Sequence, residues 1–103
     1  MQRVETIKLI AETMSLDEIG QPVSSESEST CICTVSSVTR AEWAAASQRA
    51  LSPAAAVKVF FRDYHGEKLA EFRGSRLDIY RTYQTGDYIE LYLGTRVGEI
   101  NGQ

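Results

Sequence analysis

The sequence has few of the residues on which metal sites, disulfide frameworks and catalytic centres depend. Its 103 residues include two Cys, one His, one Trp and two Pro. Lys and Arg number 11 against 14 Asp and Glu, a formal net charge of −3. A general nucleic-acid binder needs an excess of positive charge to displace counterions from phosphates, so this balance argues against that class. No uncharged run approaches the roughly 18 apolar residues of a membrane span. Charged residues near the N-terminus argue against a signal peptide.

The scarce reactive side chains are not arranged for catalysis. On a strand, Cys31 and Cys33 would lie about 6.6 Å apart, at the upper limit for a disulfide. Both would face one side, so we expect buried, reduced thiols, as in a reducing compartment. A zinc site needs more ligands than these, and the lone His65 falls in a turn where we expect solvent exposure. The sequence therefore predicts no enzyme, no metal and no cofactor.

The charge is unevenly distributed along the chain. Residues 1–39 carry two bases and six acids, hence −4, whereas residues 40–103 carry nine bases and eight acids, hence +1. Such asymmetry is typical of solvated sheet faces. It also suits a head-to-tail contact between copies, in which Glu26 and Glu28 would be interface residues.

Alternating apolar and polar residues predict two long strands at the start of the chain. The first covers residues 4–14 and the second residues 23–35. Between them, Gly20 and Pro22 indicate a turn. Only the later half of the second strand has the composition of a buried strand. We expect its Ser- and Glu-rich half to form an exposed arm or hairpin tip.

One helix is predicted, at about residues 40–50. The sequence T-R-A-E at 39–42 is a capping box, in which the Thr39 hydroxyl accepts from the Glu42 amide and the Glu42 carboxylate reaches back to the Thr39 amide. Alanines favour the helix, and Ser52-Pro53 is expected to end it. Trp43 is expected to clamp the helix onto the sheet.

Four more strands are predicted after the helix, at residues 57–61, 69–73, 76–83 and 88–93. Turns separate them at 64–67, at Gly74-Ser75, which we interpret as a two-residue type II′ hairpin turn, and at Gly86-Asp87. Six strands joined by tight turns predict a mainly β fold. It would be a small antiparallel β-barrel with one inserted helix and a long loop, in a single domain of residues 1–103.

Aromatic and Arg side chains are interleaved in the second half of the chain. They fit a protein–protein interface, which favours Tyr and Arg, or simple packing of a barrel. They also fit an OB-like single-stranded nucleic-acid-binding module with a stacking surface. The interface hypothesis selects Arg40, Trp43, Arg49, Arg62, Arg73, Arg76, Tyr80 and Tyr83, in addition to Glu26 and Glu28.

Several passages together resemble one protein family. They are T-I-K-L-I at 6–10, D-E-I-G-Q at 17–21, V-S-S-V-T-R-A-E-W at 35–43, the hairpin A-E-F-R-G-S-R-L-D-I-Y-R-T-Y at 70–83 and Y-I-E-L-Y-L at 88–93. Across nearly its whole length the chain is similar to the small head-closure proteins (head–tail connector or stopper proteins) of long-tailed bacteriophages with non-contractile tails. Leu77 stands where the family commonly has an aromatic residue.

The resemblance implies a structural protein of the virion and no catalysis. Such proteins form a ring, typically of twelve copies, below the portal and adaptor ring proteins. They retain packaged DNA and present the surface where a tail-completion protein docks. Double-stranded DNA passes through the channel without specific binding, and no membrane is involved. The protein would reside at the head–tail junction, and in the bacterial host cytoplasm during assembly. By position, residues 39–56 match the loop-and-helix region that projects toward the channel, which makes Thr39, Glu42, Gln48, Ser52 and Pro53 channel-loop candidates.

Overall fold

The computed structural model describes residues 3–96, which form six strands, one α-helix and a short 3₁₀ turn. The strands are β1 (Arg3–Leu16), β2 (Pro22–Ser36), β3 (Leu51–Phe60), β4 (Leu69–Phe72), β5 (Ser75–Thr85) and β6 (Tyr88–Arg96). Helix α1 (Arg40–Ser47) lies between β2 and β3, and the 3₁₀ turn (Phe61–Asp63) follows β3. The remainder of the predicted domain, residues 1–2 and 97–103, lies outside the described range.

The six strands close into an antiparallel barrel in the order β1-β2-β3-β6-β5-β4. Closure depends on a short ladder in which Lys8 pairs with Glu71 and Ile10 with Leu69. The contact between β2 and β3 is equally short, with Thr34 opposite Lys58. The predicted fold class, a small β-barrel with one helix, is confirmed.

The core fills the barrel with side chains from all six strands. Its buried members are Ile7, Leu9, Cys33, Ala55, Val57, Val59, Ala70, Phe72, Leu77, Ile79, Ile89, Leu91 and Leu93. Most of them alternate with outward-facing residues, as the period of a strand requires. The alternation in the sequence therefore identified the correct inward face.

The helix is shorter than predicted, and the predicted end at Ser52-Pro53 is wrong. The helix ends at Ser47, where the amides of Arg49 and Ala50 donate back to Ala46 and Ser47. Ala50 then takes a left-handed φ of 59°, which turns the chain into β3. Pro53 lies inside β3 because the ladder with β6 shifts between Pro53 and Ala55, and a bulge tolerates the missing amide proton.

The hairpin between β4 and β5 also differs from the prediction. Phe72 pairs with Ser75, so the two turn residues are Arg73 and Gly74. Their φ values are 54° and 80°, and positive φ at both positions defines a type I′ turn. The predicted type II′ turn at Gly74-Ser75 is therefore displaced by one residue and of the wrong type.

Both strands that pair with β6, namely β3 and β5, have a bulge next to Leu93. The register with β3 shifts between Pro53 and Ala55, and the register with β5 shifts between Ile79 and Arg81. The adjacent Gly94 is buried, and a Cβ on it would lie 2.5 Å from the carbonyl oxygen of Ser52. Close approach of β3 and β6 therefore depends on this glycine.

Candidate functional site

Beyond the barrel, β1 and β2 continue as a two-stranded hairpin that we call the arm, residues 12–28. All of its residues are exposed, and in the sheet they pair only within the β1–β2 hairpin. Five acids and no Lys or Arg lie in this segment. The predicted exposed, acidic arm is thus confirmed, and it is a regular β-ribbon over most of its length.

The arm ends in an ordered turn that presents apolar side chains to solvent. The Asp17 carboxylate accepts from the amides of Ile19 and Gln21 at 3.0 and 2.8 Å, and Gly20 has a φ of 83°. We call Met14, Leu16 and Ile19 the arm tip; they are 69%, 72% and 76% exposed. Sequence reasoning recognised the turn but missed the apolar tip, although all three residues were visible beside it.

Ion pairs within the chain connect the arm to the barrel. Arg76, near the start of β5, forms two hydrogen bonds with Glu26. Lys8 lies 3.5 Å from Glu28 and 3.9 Å from Glu71. Two predicted interface acids therefore have basic partners within their own chain.

A second ion pair occupies Arg73, another predicted interface residue. Its guanidinium donates two hydrogen bonds to the Glu5 carboxylate. Nε donates to Oε1 at 2.9 Å, and Nη2 donates to Oε2. The hydrogen bond from Arg73 holds the pKa of Glu5 below its usual value. Like Arg76, this arginine is already engaged in the isolated chain.

An exposed apolar surface lies on the outside of the barrel, and we call it the aromatic patch: Ile32, Phe60, Phe61 and Tyr88. The rings of Phe60 and Tyr88, cross-strand partners on β3 and β6, stack with centroids 4.9 Å apart. Ile32 is 62% exposed, and the three rings are each about two-fifths exposed. A group of large apolar side chains on one surface is typical of an interaction site.

Two cations border the aromatic patch. Lys58 Nζ lies 5.9 Å from the Tyr88 ring centroid, and the Arg62 guanidinium lies 5.2 Å from that of Phe60. Beside them is a cleft of about 490 Å³ lined by Phe60, Phe61, Arg62, Gln84, Gly86 and Asp87. The predicted interface residue Arg62 thus lies where an interface would be expected.

Another predicted interface residue, Tyr83, is 58% exposed and lies on β5 opposite Glu90.

The helix is attached to the barrel through Glu42 rather than through Trp43. Glu42 is 8% exposed and accepts from the Tyr80 hydroxyl at 2.8 Å and from the Arg81 guanidinium at 2.7 Å. Trp43 is 47% exposed, so the expectation that it clamps the helix is wrong. Thr39 caps the helix as predicted, but the Glu42 carboxylate turns to the barrel and not to the Thr39 amide.

The bulge in β5 explains why two successive residues reach the same carboxylate. In a regular strand Tyr80 and Arg81 would point to opposite faces, and the extra residue at the register shift brings both toward the helix. Burial raises the pKa of Glu42, but the hydrogen bonds from Arg81 and Tyr80 outweigh it, so the pKa lies below the usual value. Arg81 also lies 4.2 Å from the Tyr92 ring centroid.

The remaining predicted residues are distributed around this helix. Arg40 and Arg49 are exposed, and Gln48 caps the C-terminal end of the helix. Ser52 and Pro53 were predicted to lie in a channel loop, which is wrong, because both belong to β3 and Pro53 is buried. Tyr80, predicted at an interface, is partly covered and hydrogen-bonded to Glu42.

The histidine and one of the two thiols have the predicted surroundings. Cys33 is buried, Cys31 is half-buried and both are free. Burial raises the pKa of each thiol to about 11, which suppresses the reactive thiolate. The His65 side chain is 71% exposed in its turn, 3.8 Å from Glu67.

Across residues 3–96, no three His, Cys, Asp or Glu side chains are grouped to hold a metal ion. In the same range, no helix has the length and hydropathy needed to cross a membrane. No protein-family model matches the chain, and neither a curated protein nor a solved structure shows significant similarity to it.

Proposed function

We propose that the chain is a structural subunit of a bacteriophage head–tail connector. In this proposal, copies form a ring below the portal and adaptor that retains packaged DNA and provides a docking surface for the tail. The arm is the observation that carries the proposal. It is a long ordered element with an apolar tip and no role in the core of its own barrel.

The physical argument concerns the stability of a two-stranded ribbon. An isolated hairpin is marginally stable in water, and an exposed strand edge is a template for further pairing. Residues 12–28 have both features, with Met14, Leu16 and Ile19 in solvent. A neighbouring subunit or ring that covers the arm would remove both liabilities. A ring of identical copies supplies such a neighbour at every position.

The rest of the molecule is compatible with a passive channel component. The arm is acidic and the whole chain has a formal charge of −3, so DNA sliding past such a surface would not be gripped. The helix that the family resemblance directs toward the channel is fixed to the barrel by Glu42. We therefore propose that any channel-facing role belongs to this fixed helix and its exposed residues, such as Arg40 and Arg49.

The test is electron microscopy of particles produced with and without the gene for this protein. In its absence, we expect tail-less heads that have lost DNA, and expression of the protein in trans should restore complete virions. A matched control is complementation by a variant with a core defect such as Leu91→Asp, which should fail. Intact tailed virions without the protein would refute the proposal.

A second candidate function is single-stranded nucleic-acid binding, and the aromatic patch favours it. Phe60 and Tyr88 with Lys58 and Arg62 nearby are the residue types of a stacking surface. This function requires oligonucleotide binding that weakens steeply with salt. Absence of binding in a fluorescence titration at about 50 mM salt would eliminate it.

A further inference from the structure

We propose that the arm tip of one copy binds the aromatic patch of a second copy. The inference rests on the proposed ring and identifies the surfaces through which neighbouring subunits would meet. Both surfaces are apolar and exposed, and each is built on paired strands and an adjoining hydrogen-bonded turn, so neither must fold in order to bind.

The arm tip has the shape and chemistry of a ligand. Met14, Leu16 and Ile19 project from the last residues of β1 and the turn, and the Asp17 carboxylate holds that turn in one conformation. An ordered apolar projection loses little conformational entropy on binding. The flexible Met14 side chain can adapt to an uneven surface.

The aromatic patch has the chemistry of a receptor. Its cleft is lined by the rings of Phe60 and Phe61, by Arg62 and by the polar residues Gln84 and Asp87. Buried aromatic and Arg side chains are the commonest residues to dominate the energy of an interface. This cleft would receive an aliphatic side chain such as that of Ile19.

Charge complementarity supports the same pairing. Glu18 at the turn forms no ion pair with any residue of the described chain, and Lys58 and Arg62 have aromatic but no carboxylate neighbours within 4 Å in residues 3–96. Docking would place an unpaired acid next to two bases that lack acidic partners. Such matching steers association and fixes the orientation of a contact.

The geometry requires the partner to be another molecule. Ser24, opposite Met14, and Ile32 are eight residues apart on β2, which is roughly 26 Å at 3.3 Å per residue. The ion pairs of Glu26 with Arg76 and of Glu28 with Lys8 hold the arm against its own barrel. A paired ribbon held in this way cannot bend its tip back onto its own patch. Two different surfaces on identical copies give a head-to-tail contact, which closes into a ring when the rotation permits.

The test is site-specific cross-linking of purified protein. A chain with Ile19→Cys is mixed with a chain with Phe61→Cys and treated with a short bismaleimide. We expect a covalent heterodimer, and a chain carrying both substitutions should give a ladder of higher oligomers. The native thiols contribute little, because Cys33 is buried and the pKa of each thiol is raised. The wild-type chain measures that background.

A matched control distinguishes docking from random collision. Val4 is 68% exposed on β1 outside the arm, close to the 76% of Ile19. A chain with Val4→Cys mixed with the Phe61→Cys chain should give only background product. A heterodimer yield no greater for Ile19→Cys than for Val4→Cys, with protein at about 1 mM to detect even weak contacts, would overturn the proposal. Predominant linkage between two Ile19→Cys chains would also overturn it, since that outcome indicates a symmetric contact between arms.

Charge reversal gives an independent measurement. By sedimentation, Glu18→Lys and Arg62→Glu should each weaken self-association, and combining the two changes should restore it. Leu16→Ser with Ile19→Ser should weaken association by at least about tenfold, with Val4→Ser as the unchanged control. If neither change alters association, the surfaces are wrongly identified. Photo-cross-linking of an oligonucleotide to the patch, without the Ile19–Phe61 product, would assign the patch to nucleic acid instead.

The outcome is separable from that of the proposed function. Absence of the cross-link together with DNA-free, tail-less heads in the deletion experiment would reject this contact and leave the connector function supported. Formation of the cross-link together with intact virions in the deletion experiment would support the contact and reject the connector function.

Discussion

The two halves of the hairpin β1–β2 have the same secondary structure and opposite surroundings. In the barrel half, Ile7 and Leu9 are at most 1% exposed; in the arm, Leu16 is 72% exposed. The backbone pairing is continuous from one half to the other. The difference lies in the lateral neighbours, because β4 pairs with β1 only as far as Ile10, and β3 pairs with β2 only from Thr34. Strand formation in this chain therefore extends well beyond the region where burial stabilises it.

The largest difference in stability is expected when Leu is replaced by Ala in each of the two halves in turn. Leu9→Ala removes a fully buried side chain from the barrel half and should lower the free energy of unfolding by about 2–5 kcal/mol. Leu16→Ala should change it by less than about 0.5 kcal/mol. Urea denaturation followed by circular dichroism in dilute solution measures both. Similar losses for the two variants would mean that the arm is packed in solution.

The second prediction concerns the carboxylate that holds the helix to the barrel. Glu42→Gln replaces an acceptor of hydrogen bonds from Tyr80 and Arg81 and should destabilise the protein by about 1–3 kcal/mol at pH 7. The pKa of Glu42 is lowered in the folded state, so its contribution is present above the ordinary value of 4.5. That contribution is lost as the pH falls through the lowered pKa.

The pH dependence separates this role from a general effect of charge. Stability of the wild-type chain should fall more steeply on the acid side than that of the Glu42→Gln variant. Glu12→Gln, which removes one carboxylate from the exposed arm, is the matched control. Parallel profiles for wild type and Glu42→Gln would show that folding does not lower the pKa of Glu42 and would contradict the prediction.

Glu42 also shows how much of the structure could be predicted from the sequence alone. The period-two alternation identified the six strands and the inward face, because each strand needs only its own residues to show that pattern. The capping box located the start of the helix at Thr39. The partners of Glu42 were not predictable, because Tyr80 reaches it through a bulge that shifts the alternation by one residue. The bulge depends on the register between β5 and β6, which the sequence of β5 alone does not encode.

The pairing of surface charges could not be predicted from the sequence for a similar reason. Glu26, Arg73 and Arg76 were interpreted as groups available to other copies, because a sequence does not show which charges neutralise one another. Their partners are up to 68 residues away along the chain. Ser52 and Pro53 were assigned to a loop because Pro was expected to end the helix and because the family resemblance places a loop there. The sequence does not show the register shift in β3 that lets Pro53 lie in a strand.

The third prediction contrasts a glycine in the barrel with one in the arm. Gly94→Ala should cost about 1–3 kcal/mol, because the added Cβ would lie 2.5 Å from a backbone oxygen of Ser52. Gly20→Ala has open space around it and should cost about 1 kcal/mol through its positive φ alone. Asn tolerates that φ, so Gly20→Asn should recover most of the loss, whereas Gly94→Asn should not. The stabilities of the four variants can be measured by thermal or chemical unfolding. Rescue by Asn at both positions would contradict the steric explanation for Gly94.

The smallest effect is expected where the two regions meet, at the ion pair of Glu26 with Arg76. Both side chains are partly exposed, so a double-mutant cycle with Glu26→Gln and Arg76→Gln should give only a small coupling, which falls with added salt. A charge swap, Glu26→Arg with Arg76→Glu, should leave the stability of the monomer close to that of the wild type. Because the swap preserves the pair inside one chain, it should also preserve assembly if the pair only orients the arm. If Glu26 instead contacts a basic group of another copy, the swap would place two cations together and abolish assembly while the monomer stays folded. Sedimentation of the swapped variant thus decides whether the charge of the arm acts within a chain or between chains.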